Sequence, residues 1–198
     1  MINMNGFERR RKKKMEDILN AAFELFSANG IKSVSIAEIA KKANVSQVSI
    51  YNFFENKEDL ARQTFFRMMD DLMEDGEILI RSNLPYPEKL KKIVSSSLQS
   101  ADNLDESFFQ SDFVEDPMVQ KFLEEYGNNK TIPLLLELVE QGKREGYLDR
   151  KLSTESILIY INAINGVLQH NMNKKVRMDL GNLFFYGLFG EKYNTHTH

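Results

Sequence analysis

The sequence predicts an all-α protein, and three observations carry the prediction. Apolar residues recur at three- and four-residue intervals along nearly the whole chain, while few runs alternate as strands do. The stretch Ser35 to Leu60 reads as two short helices joined by a tight turn, followed at once by the capped start of a third. The last third holds two further helical patterns, the second apolar around much of its circumference. No internal repeat or low-complexity segment interrupts this picture.

Taken in order, Met15 to Ala28 carries Ile18, Leu19, Ala22, Phe23, Leu25 and Phe26 on a broad apolar stripe, closed by Asn29-Gly30. Ser35 caps the next helix, with Glu38 at capping-box spacing and Ile36, Ile39, Ala40 and Ala43 at helical intervals. The turn is Ala43-Asn44-Val45, where asparagine tolerates a left-handed backbone better than most residues. Ser46 caps the helix after it, whose Val45, Ile50 and Phe53 or Phe54 can pack back onto the first. Asn56 caps a long helix to about Ser82, with Leu60, Phe65, Met68, Met69, Leu72 and Met73 inward. Pro85 and Pro87 break the chain, and Glu88 to Ser100 forms another helix. Residues 101–106 are a polar loop, and Phe108 to Val114 a short helix. From Pro117 the pattern is helical to Gly146, with a break or kink at Pro133. Ser153 caps a helix reaching about Asn171, and the last helix lies between Arg177 and Phe189.

Composition bounds the function. A chain of 198 residues with 42% hydrophobic content can build a sizeable core. The absence of cysteine excludes disulfides and thiolate metal sites. No apolar run approaches the ~20 residues that span a membrane, and no apolar segment follows Arg9 to Lys14 as a secretory signal requires. A soluble cytoplasmic protein without membrane contact is expected. The histidines are His170, His196 and His198, and no Gly-rich phosphate loop, HExxH motif or nucleophile elbow is present. The expectation is a non-enzyme without cofactor or metal.

The net charge of −3 divides unevenly: residues 1–57 carry +4 and the remainder −7. Positive charge gathered on the N-terminal third is the footprint of a small DNA-binding module. The side chains left outward after Ser46 are Gln47, Val48, Ser49, Tyr51 and Asn52, mostly small or polar. A helix entering a major groove needs such residues for close approach and for base edges and phosphates. Two short helices around a tight turn also occur in proteins that never touch nucleic acid. The run Arg9-Arg10-Arg11-Lys12-Lys13-Lys14 leads straight into the first helix, where it can reach phosphates or the minor groove. Its bland reading is a disordered, solvated tail.

From Ile18 to Leu60 the chain resembles the N-terminal domain of the TetR family of bacterial transcriptional regulators. The resemblance runs through Ile18-Leu19-Asn20-Ala21-Ala22, Phe23 to Phe26, Gly30, Ser35-Ile36-Ala37-Glu38-Ile39-Ala40 and Val45-Ser46. It continues through Ile50-Tyr51, Phe54 and Asn56-Lys57-Glu58-Asp59-Leu60, about a quarter of the chain. The family usually has glycine where Asn44 stands and a small residue where Val48 stands. Val48 could therefore set methyls against a thymine.

The resemblance implies an N-terminal three-helix DNA-binding domain (residues 1–57) and a larger helical ligand-binding and dimerisation domain (residues 58–198). It places Ser35 and Lys57 at helix starts that meet phosphates, and Tyr51 on a phosphate through its hydroxyl. Gln47, Val48 and Ser49 are the candidates for base contact, Asn52 for a phosphate or base edge, and Ser46 is first a cap. It also implies a pocket for a largely apolar small-molecule effector whose binding lowers operator affinity. Candidate lining residues are Phe65, Met69, Met73, Phe108 and Phe109, together with Phe113, Phe122, Tyr126, Leu134 and Leu138; such a stripe is also what plain core looks like. Finally it implies a homodimer through the last two helices, with Ile157, Ile161, Ile164, Leu168, Phe184 and Leu188 at the interface, reading a palindromic operator as a repressor. The alternative is a helical adaptor that binds a protein partner through its N-terminal domain, using Tyr51, Phe53 and Phe54.

Overall fold

The computed structural model describes residues 6–103 and 111–168, together with residues 175, 176, 179, 180 and 183. Among these the chain is helical, without a strand. The helices are α1 (Gly6–Asn29), α2 (Ile36–Lys42), α3 (Gln47–Tyr51), α4 (Lys57–Arg81), α5 (Tyr86–Asn103), α6 (Ser111–Val114), α7 (Pro117–Tyr126), α8 (Ile132–Glu145) and α9 (Thr154–Leu168). A π-helical turn, Gly127–Thr131, precedes α8. The chain forms two compact units, one of Met1–Leu72 with Ala101–Glu124, the other of Met73–Ser100 with Glu125–His198. This division by packing differs from the functional boundary expected between residues 57 and 58.

In the first unit the predicted stripes meet. Ile18, Ala22 and Phe26 of α1, Ile39 of α2, Ile50 of α3 and Leu60 of α4 are fully buried in one core. Phe65 is buried beside them, edge-on to Phe113 with centroids 5.6 Å apart, while Phe66 stacks on Phe122 at 4.0 Å. Asp116 caps α7 by accepting from the Met118 N–H at 2.7 Å. Its other carboxylate oxygen accepts from Arg62 at 3.0 Å. Helix α1 starts nine residues before the expected Met15 and takes in the whole basic run. The run is therefore helix and not a tail, because arginine and lysine are good helix formers and Met15 and Ile18 anchor the next turn.

The second unit is built around Ile80, Tyr86, Leu90, Leu134, Leu138, Val139, Leu148 and Ile157. Helix α8 ends where Gly146 takes φ 81°, and the N–H groups of Tyr147 and Leu148 turn back onto the Gly142 carbonyl. Gly142 lies where a Cβ would stand 2.7 Å from the Tyr86 ring, so only glycine lets α8 approach this closely. Burial raises the Tyr86 phenol well above the ordinary tyrosine pKa, and the neighbouring Glu145 charge adds to the shift. The break expected at Pro133 is a widening of the helix just before it: the Ile132 N–H reaches Gly127 O, and Pro133 stands in the first turn of α8. A proline ring crowds the carbonyl four residues back, and a wider turn relieves that clash. The expected last helix falls almost wholly outside the described residues; positions 175, 176, 179, 180 and 183 are helical.

Candidate nucleic-acid interface

The helix-turn-helix is held by local chemistry that the sequence announces. Ser35 caps α2 with both halves of a capping box: its Oγ accepts from the Glu38 N–H, and its own N–H donates to the Glu38 carboxylate at 2.8 Å. The Ser35 hydroxyl also donates to that carboxylate, and together these bonds hold Glu38 below its ordinary pKa. Asn44 sits at φ 53°, the left-handed geometry its side chain tolerates. Ser46 caps α3 by accepting from the Ser49 N–H at 3.1 Å, with the two hydroxyls 2.9 Å apart. Ser46 and Ser49 thus turn to each other, which favours the capping role for Ser46.

Behind α3, Ile50 is fully buried and Phe54 is 3% exposed. On the opposite side Val48 is 68% and Tyr51 53% exposed, with Gln47 and Asn52 exposed beside them. Five of the sequence-predicted contacts, Gln47, Val48, Ser49, Tyr51 and Asn52, therefore belong to one short helix or its cap, four of them exposed. An exposed helix face of amide, hydroxyl and methyl groups offers what major-groove base edges and phosphates accept and donate. Phe54 is no exposed docking group, and Phe53 is only half exposed, so two of the three aromatics behind the adaptor alternative are turned inward.

Lys57 begins α4, the helix start at which the resemblance places it, and its ammonium meets backbone there. Its ammonium donates to three backbone carbonyls of the loop before α2: Ile31 at 3.0 Å, Val34 at 3.2 Å and Lys32 at 3.3 Å. All its protons are engaged, so it fastens this loop to the start of α4. The contacts span more than twenty residues of chain, which no local pattern reveals. A second contact unseen in the sequence sets the Arg11 guanidinium 5.2 Å above the Phe53 ring.

The expected pocket residues fall into two groups. Phe65 belongs to the buried core of the first unit, with Met69, Phe113 and Phe122 packed against it. Leu134 and Leu138 belong to the core of the second, with Met73 packed against it and Tyr126 buried. Phe108 and Phe109 lie outside the described residues. A cavity of about 920 Å³ in the second unit is lined by none of these residues. Its walls include Arg81, Lys89, Glu137, Gln141 and Arg144; Arg81 binds Glu137 and Glu77, and buried Lys89 donates to Gln141 at 2.7 Å and to the Ile80 carbonyl.

Of the expected interface residues, Ile157 is buried in the second unit's own core and Ile161 packs against it. Ile164 is half-buried, while Ile159 is 62% exposed, with Tyr160, Ala163 and Val167 also outward. The stripe expected to face a second copy thus faces inward for Ile157 and Ile161, because α9 is apolar on two sides and its own core takes one. The Leu168 side chain, Phe184 and Leu188 lie outside what the structure describes.

A capped, tightly turned helix pair with a solvent-facing second helix has the geometry of a helix-turn-helix module. Residues 18–64, about a quarter of the chain, match the bacterial regulatory proteins of the tetR family. The chain is 32% identical over 87 residues to the fatty acid metabolism regulator protein of Bacillus subtilis, covering 44% of this chain and 45% of that one. It is 34% identical over 96 residues to the HTH-type transcriptional regulator BetI of Agrobacterium fabrum, covering 48% and 45%. The aligned region is thus about half the length of these curated relatives. The fold extends further. The fatty acid degradation regulator FadR of Bacillus halodurans superposes with a TM-score of 0.62 at 22% identity, over 87% of this chain and 98% of that one. The reduced form of NemR from E. coli gives 0.67 at 17% identity, over 89% and 98%.

Proposed function

We propose that this protein is a ligand-responsive transcriptional regulator that binds a palindromic operator as a homodimer and represses until a small molecule releases it. The observation that carries the proposal is the outward face of α3, where Val48 and Tyr51 stand exposed above a fully buried Ile50. Residues 1–57 read DNA in this proposal, and residues 58–198 bind effector and partner copy. The dimer face is the outer side of α9, around Ile159 and Val167, to which the sequence adds Phe184 and Leu188. A two-fold pair sets two copies of α3 to meet successive major grooves on one side of the duplex.

For the effector, the relatives suggest a long-chain acyl-CoA. FadR of Bacillus subtilis has been solved in complex with stearoyl-CoA, and it shares the fold with a TM-score of 0.59 at 21% identity. An acyl chain also suits the phenylalanine- and methionine-rich helices that follow the DNA-binding module. The test is selection of binding sites from random duplex DNA with the purified protein at moderate salt. An enriched inverted repeat supports a dimeric, sequence-specific regulator. A folded protein that enriches no sequence refutes the proposal.

A further inference from the structure

The net charge around the basic run of α1 is uneven, because Glu8 and Glu16 lie on one flank of the helix. Successive residues of a helix turn by about 100°, so six adjacent cations cannot share one face. Arg11, though exposed, lays its guanidinium over Phe53, in line with half-buried Met15 and buried Ile18 one and two turns on. On one flank stand Glu8, Lys12 and Glu16 at four-residue spacing, with Lys12 Nζ 3.9 Å from the Glu16 carboxylate. Arg9 lies beside them, so that flank carries two positive and two negative charges and is neutral. On the other flank stand Arg10 and Lys14, also four apart, with Lys13 beside them and Asp17 closing the ridge. Arg10, Lys13 and Lys14 are all exposed, and none has an ion-pair partner among the described residues.

We propose that the Arg10–Lys13–Lys14 ridge of α1 is a second DNA-binding surface, which holds the phosphate backbone beside the groove that α3 enters. The inference rests on the DNA-binding reading of α3 and deepens it by naming which cations of the basic run meet phosphate and which do not. Two observations choose duplex DNA as its partner. The ridge is helical, so its cations keep a fixed spacing, and the phosphates of a duplex run past at similarly regular intervals. The Arg11–Phe53 contact ties this turn of α1 to the residue two places after the end of α3, so both surfaces belong to one rigid module. Lys12 stands on the side that phosphate avoids, between two carboxylates.

Phosphate contacts of this kind carry no sequence preference, and they show in the salt dependence of binding. The experiment measures retention of random-sequence duplex DNA by the full-length protein across a series of salt concentrations. It compares wild type with Arg10→Ala/Lys14→Ala and with Lys12→Ala. Alanine is the best helix former and all three sites are exposed, so far-ultraviolet circular dichroism should show unchanged helix content. Each lost phosphate contact reduces the slope of log affinity against log salt by about 0.9. The proposed dimer carries the change in both copies, so the double variant should lose about 3.6 of slope, about 1.8 per copy, while Lys12→Ala keeps the wild-type value. A double variant with the wild-type slope, or a Lys12→Ala slope reduced as far, overturns the ridge and leaves the reading of α3 standing. Wild-type protein that retains no DNA at low salt overturns that reading, and the ridge with it.

Discussion

Three backbone carbonyls converge on the ammonium of Lys57, and a methionine of similar length would leave all three without this donor. Hydrogen bonds from a charged donor contribute about 1.5–3 kcal/mol net, so Lys57→Met should lower stability by roughly that amount in urea unfolding. A pure phosphate ligand would behave otherwise: the unfolding midpoint would hold while the salt slope of DNA binding fell. Gly142→Ala tests a different residue-scale constraint. Its Cβ would stand 2.7 and 2.8 Å from the Tyr86 ring and 2.9 Å from Leu148 Cδ1, all rigid, buried neighbours. Overpacking of this sort costs about 1–3 kcal/mol, and an unchanged midpoint would mean that α8 shifts freely. What the sequence discloses at this scale is local. Ser35, Asn44, Ser46 and Asn56 act through bonds within a few residues, and each does what its chemistry and position predict. Lys57 and the missing Cβ of Gly142 act through partners brought near only by folding, so the local pattern announces neither.

Helix α9 shows why the pattern of an element can be right while its assignment to a partner is not. Its residues are apolar on two faces, and periodicity alone cannot say which face its own chain takes. The structure turns Ile157 and Ile161 inward and leaves Ile159 outward. Ile157→Asp should therefore unfold the second unit, seen as lost helix signal. Ile159→Asp should keep the helix content and sediment as a monomer. A dimeric Ile159→Asp protein would remove the outer face of α9 from the interface. The start of α7 carries a pH dependence. Desolvation opposes ionisation of Asp116, but the Met118 N–H, then Arg62 and the Val119 N–H, outweigh it and hold its pKa below the ordinary aspartate value. Such a group adds stability that is fully present above the unfolded-state pKa of about 4 and is lost as pH falls through the lower folded value. Urea midpoints taken at neutral and at acid pH should drop further for wild type than for Asp116→Asn; equal drops would show that other carboxylates set the acid response. The basic run taught the converse lesson about elements. Charge suggests solvation, yet strong helix formers beside an anchored turn simply extend α1.

At the scale of the molecule, the all-α fold is legible because every long stretch has one period and its breaks carry proline, glycine or a cap. A cavity is not, since a phenylalanine facing a ligand and one facing a core leave the same pattern; Phe65 and Leu134 prove to be core. The effector must then be found by coupling and not by lining residues. If stearoyl-CoA binds the free protein, it should stabilise it by mass action, about 2.7 kcal/mol at a hundredfold excess over Kd. If it also releases the operator, the coupling has to be reciprocal. The factor by which the acyl-CoA weakens operator binding must equal the factor by which operator weakens acyl-CoA binding. Titrating each ligand in the absence and presence of saturating partner, at one salt concentration, gives four dissociation constants that close a cycle. Equal factors above one support an effector that selects between DNA-competent and DNA-incompetent states of a single protein. Factors of one, with stearoyl-CoA bound, mean that it occupies the helical domain without control of DNA. No thermal shift at all would turn the search to effectors of another chemistry, while the assignment of α3 to DNA would rest, as before, on the selected operator.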